Sequence, residues 1–431
     1  MRPEIERIAA SLHELEDRLS ACTRCGACLS ACPVYLATGR EADAARGKLA
    51  LLEALADRMF EAPAGVMARL ERCLMCGACA RRCPVGVNTP EIFARARFIL
   101  KETMGLSALQ RIGLRRVLAM PQRCNRLLAV MAGAMNRVLP PQRKEEDLLR
   151  PKPGPLPLRP NHWVAPAAES FLDTMRRRGM PEPTRRIGTG PRVAFFVGCL
   201  PDKVFTNIAH RTLGALGQGA SHLILPLDQG CCGMPAVSAG DLSTFSRLVR
   251  HHVNLFGRHS YDYLVTACAT CTATIRTLWP TLCRQVSQTL AAEADRMAEK
   301  TLDVSQFLCH VAGIGQRPLP TATAPIPVTY HDPCHLKKSL GIFTEPRALI
   351  QANPRYRLVE MQDSDGCCGM GGSFGFHHAG ISMQIGSPKR AHIAATGAAI
   401  VATTCPACMI QLRRLLAHAP PGVQVRHVIE L

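Results

Sequence analysis

The chain has 431 residues, 47% of them hydrophobic and 5% aromatic, with a formal net charge of +19 and 21 cysteines. That length exceeds what one hydrophobic core usually organises, so two or more domains are expected. The charge attracts anionic partners, but no helix-turn-helix or aromatic-rich RNA-reading consensus accompanies it, and nucleic acid is not expected among them.

The opening "MRPEIERIAASLHELEDRLS" sets charged and apolar residues at helical spacing, with no uncharged apolar core and no small-residue cleavage site, so it does not read as a secretory signal. The longest apolar candidate, "LLAVMAGAM" at 127–135, falls well short of the roughly 20 residues a spanning helix needs. A cytoplasmic location is expected, with room for peripheral contact at the inner face of the cytoplasmic membrane. Secreted cysteine-rich scaffolds are short. In a long chain of a reducing compartment, clustered thiolates point to metal.

Residues 1–105 carry "CTRCGACLSACP" and "CLMCGACARRCP", joined by a stretch whose apolar residues recur at helical intervals. Each cluster has the spacing C-x2-C-x2-C-x3-C-P. Three closely spaced thiolates on a turning loop can reach three irons of one cubane, and the fourth points to a neighbour. The expected sites are therefore crossed: Cys22, Cys25, Cys28 and Cys83 for one 4Fe-4S cluster, and Cys73, Cys76, Cys79 and Cys32 for the other. Zinc is the competing reading, but zinc sites usually pair two CxxC hooks rather than two trios.

Residues 106–190 hold a basic helical segment, with Arg111, Arg115, Arg116 and Arg123 interleaved with apolar residues, followed by the Pro-rich linker "LPPQRKEEDLLRPKPGPLPLRP". Those arginines suit a membrane surface or a partner interface, or simply a solvated helix face.

Short β-rich runs then alternate with helical ones, as in "RVAFFVGC", "SHLILPLD" and "YDYLVTAC", and again in "IPVTYHDPC", "YRLVEMQD" and "AAIVATTC". The expectation is α/β architecture in two copies of one unit, 191–316 and 317–431, joined by the stretch near 285–320. The first copy carries Cys199, Cys231, Cys232, Cys268 and Cys271. The second carries Cys334, Cys367, Cys368, Cys405 and Cys408. All ten follow predicted strands, at the carboxyl edge where open α/β sheets place their sites. A redox-active disulfide at the CxxC ends stays open, although it leaves three cysteines per copy unused. Cys124, Cys283 and Cys309 read as small buried residues. His331 and His335 flank Cys334, as candidates to hydrogen-bond a cluster sulfur or carry protons, or as ordinary loop histidines. The "GMGGSFG" run at 369–375 has the wrong spacing for a dinucleotide fingerprint.

Two C-x2-C-x2-C-x3-C-P clusters followed by two C...CCG...CxxC sets resemble the glycolate oxidase iron-sulfur subunit family. Its relatives include iron-sulfur subunits of D-lactate and glycerol-3-phosphate dehydrogenases and, for the second half, heterodisulfide reductase. The resemblance implies a helical ferredoxin-like domain with two 4Fe-4S clusters, and one or two further non-cubane clusters at the CCG sets. It also implies a partner FAD-containing dehydrogenase subunit that oxidises a 2-hydroxy acid, with electrons relayed toward the quinone pool or another acceptor. Both CxxC ends are complete here, which keeps a heterodisulfide-reductase-like thiol-disulfide reductase as the alternative.

Overall fold

The computed structural model describes residues 3–120, 127, 130, 166–179, 190–220, 222–314, 324–417 and 422–431. In its C-terminal half, β1 (Arg192–Phe195), β2 (His222–Ile224), β3 (Tyr263–Thr266) and β4 (Thr301–Asp303) form a parallel sheet in the order β2-β1-β3-β4. A second parallel sheet repeats that order as β6-β5-β7-β8, from β5 (Ile326–Tyr330), β6 (Tyr356–Leu358), β7 (Ile400–Thr403) and β8 (Gln424–His427). The central strands β3 and β7 read "YLVT" and "IVAT", short β-branched runs buried as a two-faced parallel sheet requires. The duplicated α/β units expected from the sequence are therefore present.

β4 and β8 carry too little pattern to be read in advance. They also correct one expectation. Residues 285–314 do not merely join the units, because the helix Gln288–Lys300 packs Leu290, Ala294 and Met297 into the core and leads into β4. Of that stretch, only 315–320 fall outside the described residues.

The N-terminal part is helical, built on α1 (Pro3–His13), α2 (Ala45–Ala56), α3 (Pro63–Glu71) and α4 (Thr89–Met104). Ile5, Ile8 and Leu12 recur on one face of α1 and are buried. These helices share one core with Phe245, Leu248 and Trp279 of the first α/β unit, and a second core spans both sheets from Val193 and Phe195 to Val401 and Val425. Phe171, Leu172 and Met175 join that second core, so part of the expected linker region folds onto the first unit. The Pro-rich run at 139–160 lies outside the described residues. Arg115 is also used internally: its guanidinium donates to Asp241 at 3.1 and 3.3 Å, fastening the basic segment to the first unit. Arg123 lies outside the described residues. Among the described residues no helix is long and apolar enough to cross a membrane.

Arg97 of α4 ties the two parts together. It is 1% exposed, and its guanidinium donates to the carbonyls of Leu70, Cys73 and Ser238, the last two at 3.0 and 3.2 Å. Beside it Gly240, at φ +77°, approaches so closely that a Cβ would meet the Arg97 carbonyl oxygen at 2.6 Å. Removing the guanidinium leaves buried carbonyls unpaired, each worth about 1–3 kcal/mol before relaxation. Arg97→Met is expected to lower stability by about 3 kcal/mol, read as a lower urea midpoint at unchanged slope in anaerobic protein.

Candidate metal centres

The two N-terminal cysteine loops share one backbone conformation. Arg24 and Gly26 in the first, and Met75 and Gly77 in the second, all have positive φ, between 55° and 81°. Left-handed residues at those two positions turn successive N–H groups toward one side, an anion-cradling geometry found at iron-sulfur sites. Met75 N–H donates to Cys73 Sγ at 3.4 Å, and Val87 N–H to Cys83 Sγ at 3.4 Å. Cys32 lines the same cavity as Cys73, Cys76 and Cys79, although it belongs to the other motif. Cys28 lies close to Cys22 and Cys25, and Cys83 packs with Cys22 and Cys28 against the first core. Cys25 is the exposed thiol of the eight.

The CCG cysteines occupy the carboxyl ends of the strands. Cys199 and Cys334 begin the helices after β1 and β5, the paired cysteines follow β2 and β6, and Cys268 and Cys405 cap the helices after β3 and β7. Gly198 makes room for this, since at φ +76° its absent Cβ would stand 2.9 Å from Cys271 Sγ. Sulfur contacts run without a break from Cys199 through Cys231, Cys232, Cys271 and Cys268 into the second unit at Cys405, then through Cys408 and Cys368 to Cys367. Cys368 and Cys408 stand 3.6 Å apart, and all twenty described cysteines are free thiols. Cys124 lies outside the described residues.

The seam continues into the N-terminal domain, where Cys76 faces Cys334 and Cys367. Contact is close because Gly371 has no side chain: a Cβ there would meet Leu74 Cδ2 at 2.3 Å. Burial pushes the thiols of Cys76 and Cys334 up to about 12, so these sulfurs ionise only beside a cation. A bound metal supplies that cation, and soft thiolates in such numbers suit iron-sulfur clusters. The donor set fits the group.

The two flanking histidines differ. His335 Nε2–H donates to the Met75 carbonyl at 3.1 Å, and Nδ1 lies 3.1 Å from Thr270 Oγ1, which in turn is 3.5 Å from Cys405 Sγ. It therefore joins three cysteine loops rather than touching a sulfur. His331 is 1% exposed, its ring faces the Cys368 thiol, and a ring nitrogen lies within 4.8 Å of Cys368 and Cys408 Sγ. Sequence reading missed Lys338. Burial pushes its ammonium down, but Cys76, Cys334, Asp365 and Cys367 around it outweigh that and raise it, so a cation stands between the N-terminal and second CCG sets. Its position four residues after Cys334, one helical turn on, was the available signal.

The family model described as a 4Fe-4S dicluster domain matches residues 18–87, and that described as a cysteine-rich domain, CCG, matches 193–276 and 328–413. The chain therefore carries a 4Fe-4S dicluster domain ahead of two copies of the CCG domain. It is 29% identical to the probable glycolate oxidase iron-sulfur subunit of Bacillus subtilis (strain 168) over 407 residues, which span 92% of this chain and 89% of that protein. It is 26% identical to a fumarate reductase (CoM/CoB) subunit of Methanothermobacter marburgensis, over 99% of this chain and 74% of that one. Lactate utilization protein A of Bacillus subtilis (strain 168) is 28% identical over 56% of this chain and 98% of its own.

Because this CCG protein has no space for a side chain between Gly198 and Cys271, Gly198→Ala is expected to empty the first CCG set selectively. Iron and labile sulfide fall, while the electron paramagnetic resonance of the N-terminal clusters persists.

Proposed function

We propose that this protein is the electron-transferring subunit of a flavin-linked 2-hydroxy-acid dehydrogenase, passing electrons from an FAD-containing partner subunit toward quinone or another acceptor. The observation that carries the reading is the contiguity of the thiol sets, from Cys76 to Cys334 and Cys367 and onward to the first CCG set. Glycolate is preferred over D-lactate as the acid oxidised, because the glycolate oxidase relative aligns along most of both chains. The net charge of +19 suits docking to an acidic flavoprotein or an anionic leaflet.

In this reading the crossed ligand sets are Cys22, Cys25, Cys28 and Cys83, and Cys73, Cys76, Cys79 and Cys32; the cavity that Cys32 shares with the second trio supports them. Cys199, Cys231, Cys232, Cys268 and Cys271 hold a further cluster, and Cys334, Cys367, Cys368, Cys405 and Cys408 another. Bound iron-sulfur clusters take up and release single electrons. The protein's own part is to fix their spacing, exclude water and balance charge: Cys25 at the surface marks the entry side, Leu74 against Gly371 holds two sets together, and Lys338 offsets the negative charge between them.

The complete five-thiol sets in both units favour a second reading, reduction of a disulfide substrate at the CCG sites. Anaerobic protein is expected to contain more than about eight irons, the number two cubanes supply, to co-purify with a flavoprotein, and to be reduced by glycolate only in that complex. Cys83→Ser should remove the signal of the Cys22 trio and spare that of the Cys73 trio. Turnover of a disulfide with a reduced carrier and no flavoprotein would favour the second reading instead.

A further inference from the structure

The two CCG units can be compared residue with residue just ahead of their first cysteines. Phe196 N–H donates to the Val265 carbonyl at 2.9 Å, and His331 N–H donates to the Ala402 carbonyl at 2.9 Å. Val265 and Ala402 each stand three residues before the first cysteine of a CxxC pair, and Phe196 and His331 each stand three before Cys199 and Cys334. The two positions are equivalent. Their surroundings are not.

In the first unit the position is filled by an aromatic ring among aromatic rings. Phe196 lies 5.0 Å from His252, 6.0 Å from Phe256 and 6.2 Å from Trp279, centroid to centroid. The two polar rings there are satisfied: His252 accepts from Gly230 N–H, and the indole N–H of Trp279 donates to the Cys232 carbonyl. The aromatic rings on that face of the first set leave no unpaired ring nitrogen beside its sulfurs.

In the second unit the same position aims an imidazole into the site. His331 is almost wholly buried, no oxygen or nitrogen atom pairs with either ring nitrogen, and the group the ring faces is the Cys368 thiol. One ring nitrogen, Cys368 Sγ and Cys408 Sγ lie within 4.8 Å of one another. Metal–nitrogen and metal–sulfur bonds of about 2.1 and 2.3 Å meeting at a tetrahedral metal leave their donor atoms about 3.6 Å apart, so a contraction of about 1 Å brings all three onto one metal.

We propose that His331 is a nitrogen ligand of the cluster at the second CCG set, which then binds through five thiolates and one imidazole while the first binds through thiolates alone. The inference rests on the reading that both sets hold iron. The imidazole is added to five thiolates rather than put in place of one, so the second set, which adjoins Cys76, differs from the first in ligand number and in ligand type.

The test is electron-nuclear double resonance on anaerobic protein carrying 15N-histidine, after metal analysis. A strongly coupled nitrogen is expected in the wild type, lost in His331→Phe and kept in His335→Gln. Iron confined to the N-terminal sites overturns the reading on which the proposal rests, and the proposal with it. A fully loaded wild type without a strongly coupled nitrogen overturns the ligand assignment alone, as does a coupling that survives His331→Phe. Should His331→Phe shed iron from the second set, His331→Cys decides: retained iron supports ligation, and equal loss shows that the ring only packs.

Discussion

Nine sulfurs in unbroken contact between two sheets create a charge problem that organises everything around them. Thiolates that hold metal are anions, and burial opposes them, as the raised thiols of Cys76 and Cys334 show. The fold answers with partial positive charge from backbone N–H groups at the helix starts that carry Cys268 and Cys405, and with whole charges from Lys338 and Lys389 beside the second set. Asp332 is held in turn by Arg347 at 2.8 Å and by Ser364, so the loops bearing Cys334 and Cys367 keep their spacing. The N-terminal domain cannot be a loosely tethered module, because Arg97 and the Gly371 contact join it to both units.

Duplication explains the frame, and divergence explains its chemistry. The two sheets repeat strand order and hydrogen-bond register, and their edge strands end at equivalent residues: Asp303 pairs in register with Thr266, and His427 with Thr403. Both accept a backbone N–H two residues on, at 2.9 and 3.2 Å. Burial pushes Asp303 up to about 7 and His427 down to about 4, moving both toward their neutral forms. Neither therefore adds a full charge beside the thiol seam. At the first cysteines the copies part, with Phe196 and Leu200 in one and His331 and His335 in the other.

The local half of this organisation was legible in the sequence. Cysteine spacing is set within twelve residues, and the strands before the cysteines are apolar runs of the right length, so motif and edge could be read together. β4 and β8 were not, because three or four residues such as "TLD" carry no periodicity. Contacts distant in sequence were equally hidden: His335 meets the carbonyl of Met75 across 260 positions, and nothing in "PCHLKK" announces it. The domain boundaries read as composition shifts, but the cores cross them, since side chains pack by shape and not by segment.

Within the proposed relay, the arrangement of the sets matters as much as their number. Oxidising a 2-hydroxy acid releases two electrons, whereas cubane clusters pass them singly. The second CCG set is the first stop beyond Cys76, and its side near Cys334 and Cys367 is covered by the loop of Leu74, with Val34, Leu74 and Phe374 in one cluster. The first set touches it through Cys268 and Cys405 and keeps only Cys199 less than fully buried. If both sets bind clusters as proposed, two abutting sets would hold one electron each, and the pair, rather than either set, would match the two-electron demand of a quinone or a disulfide.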